Sequence, residues 1–234
     1  MGRKTVKQNF PVLATLLTLC AIVILCALGT WQVQRLQWKE GVLAQIESAR
    51  AAGPQDIKFQ DIEGEGSVPL YARLRGRYGA ISFSVGPRTY GGVVGFHSLV
   101  PFMLEDGGAV LVNRGWVPQG QEENLKTPQG IVSLSGLLRL PERDNPFVPQ
   151  NNPEKGAWFR ADPVQMAQVA GVTSIAPMVM YVESESPESA SLQPVRAAAK
   201  WTPPNDHLQY ALFWFSMAGI LLVIYFLRFW CRRA

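Results

Sequence analysis

The sequence is poor in the residues that most often carry covalent or metal chemistry. Of its 234 residues three are cysteine and two are histidine. Cys20, Cys26 and Cys231 all lie in or beside two long uncharged runs, so the segment between those runs can form no disulfide of its own. A segment of that length buries enough apolar surface to fold without one. It contains no C-x-x-C and one internal histidine, which excludes the usual thiol-redox, zinc and copper sites. A Ser-His-Asp triad or an imidazole acid–base pair is equally badly supplied, since His97 and His207 are the whole stock of imidazole. Gly91, Gly92 and Gly95 are not followed by a basic helix start, so they read as a turn between strands and not as a phosphate loop.

Charge is missing in two places. Gln8 to Gln34 is a run of 27 residues without Asp, Glu, Lys or Arg, and Leu208 to Leu227 is another of 20. A helix of about 20 residues rising about 1.5 Å per residue crosses the roughly 30 Å of a hydrocarbon core, so either run is long enough to span a bilayer. A cleaved signal peptide is the alternative for the first, with Ala27 and Gly29 as a small-x-small pair. Against it, the apolar stretch from Val12 to Leu28 exceeds a usual signal core, and the helical pattern continues past the supposed cleavage point. A lipoprotein signal fits less well, because Leu19 and Leu25, not small residues, precede Cys20 and Cys26. A buried helix of a soluble protein is the alternative for the second run, but that run ends beside basic residues at the chain terminus, and membrane burial is the simpler account.

Acidic residues are absent from both ends. The head carries Arg3, Lys4 and Lys7 and the tail Arg228, Arg232 and Arg233, while all 18 acids and the other 16 basic residues lie between. The positive-inside rule then expects both termini in the cytoplasm and the central segment on the other side. The pI of 9.1 therefore reports topology. No groove-sized basic block lies within the central segment, so nucleic acid is not expected as a partner.

Between the runs the periodicity changes twice. Apolar residues at Trp31, Leu36, Val42, Leu43 and Ile46 among good helix formers, with Gly53-Pro54 as a stop, predict that the first helix continues to residue 52. The acidic, glycine-rich stretch 54–69 predicts a loop with at most a short strand. From Leu70 the period is two. Runs at 70–78, 81–85, 96–104, 109–117, 131–140 and 177–183 predict an antiparallel sheet closing toward a barrel or sandwich. A short helix is predicted at 163–170 with Asp162 as N-cap. Residues 183–199 are polar and Ala/Ser-rich and read as a flexible link. The expected fold class is membrane-anchored α+β: two transmembrane helices flanking a mainly antiparallel β domain with one or two short helices.

His97 lies in the apolar strand pattern GFHSLVPF, where a packed, hydrogen-bonded histidine is favoured over a catalytic one. His207 opens the second run after Pro203-Pro204 and the capping candidates Asn205 and Asp206, which puts it in an interfacial layer. Tyr210 and Ala211 follow one turn on and Trp214 two turns on. An imidazole above such a stripe could ligate haem iron with the macrocycle packed in lipid. An interfacial histidine anchored among belt aromatics is the plainer alternative.

Four blocks carry a resemblance: LGTWQVQRLQWKEGVLAQI at Leu28 to Ile46, VGPRTYGGVVGFHSLVPF at Val85 to Phe102, VLVNRGWVP at Val110 to Pro118, and PNDHLQYALFWF at Pro204 to Phe215. In that order, with the two terminal runs, the chain resembles the surfeit-locus cytochrome oxidase assembly factors, the family that includes the yeast Shy protein. The resemblance implies a part in building the haem-copper oxidase, by receiving or stabilising haem a on its way to oxidase subunit I. It implies no catalytic turnover. His207 matches the proposed haem a ligand, held transiently, and haem a synthase and oxidase subunit I are the implied partners beside membrane lipid. A protein-only scaffold of the same pathway is the alternative, and self-association is left open. Trp31, Gln32 and Arg35, where the first span leaves the membrane, could face the second helix, and Arg35 could bind a haem propionate; snorkelling and belt anchoring are the alternatives. Arg88 and Arg114 could pair with a carboxylate of the partner or a propionate, with hydrogen bonding to loop carbonyls favoured. Trp158 and Phe159 could belong to a docking face, with core packing favoured.

The nine residues before the first apolar run form no Arg- and Ser-rich presequence, which favours a bacterial inner membrane over mitochondrial import. The expected layout is a cytoplasmic head at 1–9, a first span at 10–30, its helical extension at 31–52, a periplasmic β-rich domain at 53–206, a second span at 207–227 and a cytoplasmic tail at 228–234.

Overall fold

The computed structural model describes residues 11–62, 70–142, 145–189, 194–196 and 205–229. The predicted head, most of the tail, the Pro203-Pro204 pair and residues 63–69 lie outside them. The chain divides into two compact units, Met1–Ala44 with Pro203–Ala234, and Gln45–Thr202.

Helix α1 runs unbroken from Val12 to Ala51 and helix α3 from His207 to Phe229. At about 1.5 Å per residue they measure about 60 and 35 Å, and both contain a stretch long and apolar enough to cross a membrane. Only 6% of the first apolar window and 11% of the second are buried within the molecule. A core helix of a soluble protein would be mostly covered, so these surfaces belong in lipid, where a helix alone satisfies every backbone N–H and C=O within its own segment. The two helices of this unit run antiparallel and meet at three described points. Gln32 pairs with His207, the Phe215 ring lies on Gly29, and Thr15 Oγ1 is 2.6 Å from Tyr225 Oη.

The second unit is a barrel. Strand β1 (Gln55–Asp56) is followed by β2 (Leu70–Tyr78), β3 (Phe83–Tyr90), β4 (Val93–Leu104), β5 (Ala109–Pro118), β6 (Val132–Arg139), helix α2 (Pro163–Ala170) and β7 (Ile175–Ser186). The sheet order is β1-β2-β6-β7-β5-β4-β3, and β2 also pairs with β4, which closes five strands into a ring with β1 and β3 added outside it. Strand β6 returns to lie beside β2, so that β6, β2, β4 and β5 follow one another around the ring, the connectivity of a Greek key. Most pairs are antiparallel as expected, but β1 pairs with β2, and β5 with β7, in parallel. The barrel branch of the predicted class is the one found.

Alternate residues fill the barrel: Ala72 and Leu74, Phe102 and Leu104, Val110 and Val112, Val132 and Leu134, and Met178, Met180 and Val182. The outer faces of β4, β5 and β7 are covered in turn, with Leu99, Leu111, Val179 and Tyr181 packed among Phe83, Val85, Trp158 and Met166 of α2. Strand β5 is buried along both faces for that reason, and its near-continuous apolar run follows from it. Helix α2 has the predicted bounds, with Asp162 Oδ1 accepting from the Gln165 N–H at 2.9 Å. Gly91 and Gly92, at φ +57° and +81°, make the tight β3–β4 hairpin turn that side-chain-bearing residues enter at a cost.

The reading of 183–199 as a flexible link is corrected by the structure in its described part. Strand β7 continues to Ser186, Val195 exchanges two backbone hydrogen bonds with Trp116, and Arg196 reaches back to Glu185. Serine and alanine lower hydrophobicity without preventing backbone pairing, and composition alone missed the pairing. At the other border, the last turn of α1 is held to β7 by Arg50 Nη2 at 2.8 Å from Glu183.

Candidate functional site

Three groups of polar residues were candidates, and the structure separates them. The first is at the start of α3. His207 is its first residue, and the Asp206 carbonyl accepts the Tyr210 N–H to open the helix. The His207 imidazole is half-buried, and its Nδ1 lies 2.7 Å from Gln32 Oε1 on α1. An amide oxygen only accepts, so the ring donates from Nδ1–H. In the neutral imidazole that tautomer puts the lone pair on Nε2, which engages no partner among the described residues.

Helical geometry sorts the neighbours. His207, Ala211, Trp214, Ala218 and Tyr225 fall on one stripe at about 100° per residue. That stripe carries the His207 and Tyr225 contacts with α1, with Phe215 about 80° to one side of it, and Ala211 and Ala218 are the buried residues of α3. Small residues there let two helices approach. Ala211 and Trp214 therefore belong to a packing seam, Trp214 half-buried with its ring edge-on to Phe213 at 5.2 Å. Tyr210 is turned about 60° off the seam and is 54% exposed. On α1, Gln32 sits one turn beyond Gly29, whose added Cβ would lie 2.8 Å from the Phe215 ring. Trp31 is exposed, and Arg35 is exposed with its guanidinium 4.1 Å above the Trp38 ring. No carboxylate pairs with Arg35 among the described residues. Of the three residues suspected of facing the second helix, Gln32 is the one the structure brings onto His207.

The second group is inside the β unit. Arg114, on β5, is 1% exposed, donates from Nη1 to the Lys126 carbonyl at 3.1 Å, and lies 3.4 Å from Glu185, which Arg196 approaches at 3.2 Å. Its guanidinium stands over the Tyr78 ring at 5.1 Å. Burial first, and then the Glu185 carboxylate, pushes the Tyr78 phenol well above its ordinary range. Arg88 donates to Glu142 and to the Phe159 carbonyl, while its own carbonyl accepts from Trp116 Nε1. Both arginines are thus structural hydrogen-bond donors to loop carbonyls. Glu185 carried no signal in the sequence, because it lies in a polar stretch that the barrel buries. Trp158 is buried beside Phe83, as core packing required.

The third group is His97 with Asn113. Asn113 Nδ2 is 3.3 Å from His97 Nδ1, and Asn113 Oδ1 accepts the Gly115 N–H. Burial, and then the Arg88 and Arg139 charges, lowers the His97 pKa to about 4. It is a neutral packed histidine. Among the described residues no cluster of His, Cys, Asp or Glu could hold a metal ion. The open groove of about 310 Å³ between Pro87, Phe96 and Trp158 contains no concentration of titratable groups.

A unit of two apolar helices with an imidazole at the head of one, in a chain whose other unit is a barrel, defines a membrane-anchored accessory protein. Comparison with known proteins names the group. The model of the SURF1 family matches residues 19–219. Surfeit locus protein 1 of Mus musculus is 31% identical over 223 residues, 86% of this chain and 71% of that protein. The Homo sapiens protein of the same name is 31% identical over 224 residues, 86% of this chain and 73% of the relative. A SURF1-like protein of Monosiga brevicollis is 31% identical over 229 residues, 88% and 84% of the two chains. The chain belongs to the SURF1 family, a family of cytochrome c oxidase assembly factors.

Proposed function

We propose that this protein serves oxidase assembly by holding haem a through His207 and handing it toward oxidase subunit I, without catalytic turnover of its own. The single observation that carries the reading is the 2.7 Å bond from His207 Nδ1 to Gln32, which leaves Nε2 unused at the head of an apolar helix. Iron-ligating imidazoles usually donate their other nitrogen in this way. The donor set fits a haem. Nε2 would take the iron, exposed Tyr210 and Trp31 would offer amphipathic surface for the macrocycle, Trp214 would back the seam, and Arg35 would meet a propionate. Haem, when bound, would supply an iron centre, and His207 would be the residue of this chain that holds it. The residues of this chain exclude water from one side of the site by packing α3 on α1, and the half-buried ring limits which nitrogen is offered.

The proposed setting is a bacterial inner membrane with both termini cytoplasmic and the barrel periplasmic, following the charge asymmetry. Haem a synthase is the proposed donor, and lipid surrounds the helices. A scaffold that binds only protein is favoured by one feature, the exposed hairpin tip of Tyr90, Val93 and Val94.

Co-expression with haem a synthase, followed by purification and an optical spectrum, separates the two. The wild-type chain should carry pigment and His207→Ala should lose it. Full haem on the His207→Ala protein would remove the ligand assignment and leave the scaffold.

A further inference from the structure

Gln32 is the one polar side chain of α1 that meets His207, and it does so from a fixed place. It lies one turn from Gly29, where the Phe215 ring sits so close that no Cβ fits without displacement, so the distance between the helices at that level is set by packing. The bond is 2.7 Å long and joins positions 175 apart in sequence. A free neutral imidazole is divided between two tautomers, and one strong acceptor at Nδ1 selects between them. The acceptor here is a neutral amide. The partners usual for iron-bound histidines include carboxylates, which draw the proton harder and make the ring a stronger donor to iron.

We propose that Gln32 is the positioning residue of this site: its amide oxygen holds the Nδ1–H of His207, turns Nε2 toward an iron porphyrin, and, being uncharged, keeps that bond weak enough to release. The proposal rests on the reading of His207 as ligand. Gln32 touches neither iron nor macrocycle and acts through the ring.

With two histidines in the chain, ¹⁵N-imidazole NMR of the full-length apoprotein in micelles resolves the tautomers directly. His97 serves as internal reference, since Asn113 donates to its Nδ1 and demands the opposite, Nε2–H form. His207 should be Nδ1–H in the wild-type protein and shift to a mixture in Gln32→Leu. A wild-type His207 in the Nε2–H form, or a tautomer unmoved by Gln32→Leu, overturns the proposal. On protein co-expressed with haem a synthase, Gln32→Leu should weaken haem retention about 10- to 100-fold. Gln32→Glu should retain haem more tightly than wild type and release it more slowly to an apoprotein acceptor. If His207→Ala loses haem while Gln32→Leu keeps wild-type affinity and spectrum, the positioning role fails alone. If His207→Ala keeps its haem, the ligand reading fails, whatever the tautomer.

Discussion

Removal of the Glu185 carboxylate tests the buried centre of the barrel most directly. Arg114 and Glu185 are each 1% exposed at the side chain, and the carboxylate is the anion that Arg114 and Arg196 share. In Glu185→Leu the Arg114 guanidinium stays in the interior with the Lys126 carbonyl and the face of Tyr78 for company, and no counter-charge. Stranding a buried charge costs about 3–5 kcal/mol. The Arg114 pair is a single 3.4 Å contact and not a fork, so the lower end, about 3 kcal/mol, is expected. For a unit of this size, that lowers the melting temperature by about 6–12 °C. The assay is thermal unfolding of the detergent-solubilised full chain, followed by tryptophan fluorescence, which reports on buried Trp116 and Trp158. Arg114→Met combined with Glu185→Leu removes both charges, and the double variant should be more stable than the sum of the singles by about 1–3 kcal/mol. Arg196 remains and is 18% exposed, close enough to water to keep its hydration. A Glu185→Leu protein melting within about 2 °C of wild type, or strict additivity in the cycle, refutes the reasoning.

Three further outcomes follow from other sites. His97 has a folded pKa of about 4, below the ordinary imidazole value of 6.5, so the unfolded chain binds the extra proton and stability falls as pH drops through that window. About 2 kcal/mol should be lost between pH 7.5 and 5, and His97→Gln should lose that slope in pH-dependent melts, whereas an unchanged slope would contradict the assignment. Gly29→Val should push α3 away through the Phe215 ring and weaken the Gln32–His207 pairing, measured by disulfide trapping of Gln32→Cys with His207→Cys; Phe215→Ala in the same background should restore trapping, and failure to do so would deny the contact. Asp162→Ala removes the cap of α2 and should destabilise the β unit by about 1 kcal/mol in urea titration, with Asp162→Asn close to neutral.

Much of this protein was open to reading residue by residue. The two apolar helices, the continuation of α1 past the first span, the bounds of α2 with its Asp162 cap and the Gly91-Gly92 turn all depend on neighbours within a few positions in the chain. The strands at 96–104 and 109–117 were recognised for the same reason, and their edges shifted to Val93 and Pro118 because pairing partners, not propensity, end a strand. At the candidate site, His207 was legible from its address between a polar segment and an apolar run. Gln32 was one of three suspects, and nothing in the sequence distinguished it from Trp31 or Arg35.

The sequence by itself determined what each segment must be: apolar helix, two-period strand, capped helix or turn, because hydrophobic period and backbone preference act locally. Tertiary structure alone decided who meets whom. It closed β2 onto β4, ran β7 parallel to β5, turned a polar stretch inward so that Glu185 neutralises Arg114, and chose Gln32 for His207. Those choices arise from the free energy of contacts between positions tens to hundreds of residues apart, and a term of that kind is written in no local pattern of residues.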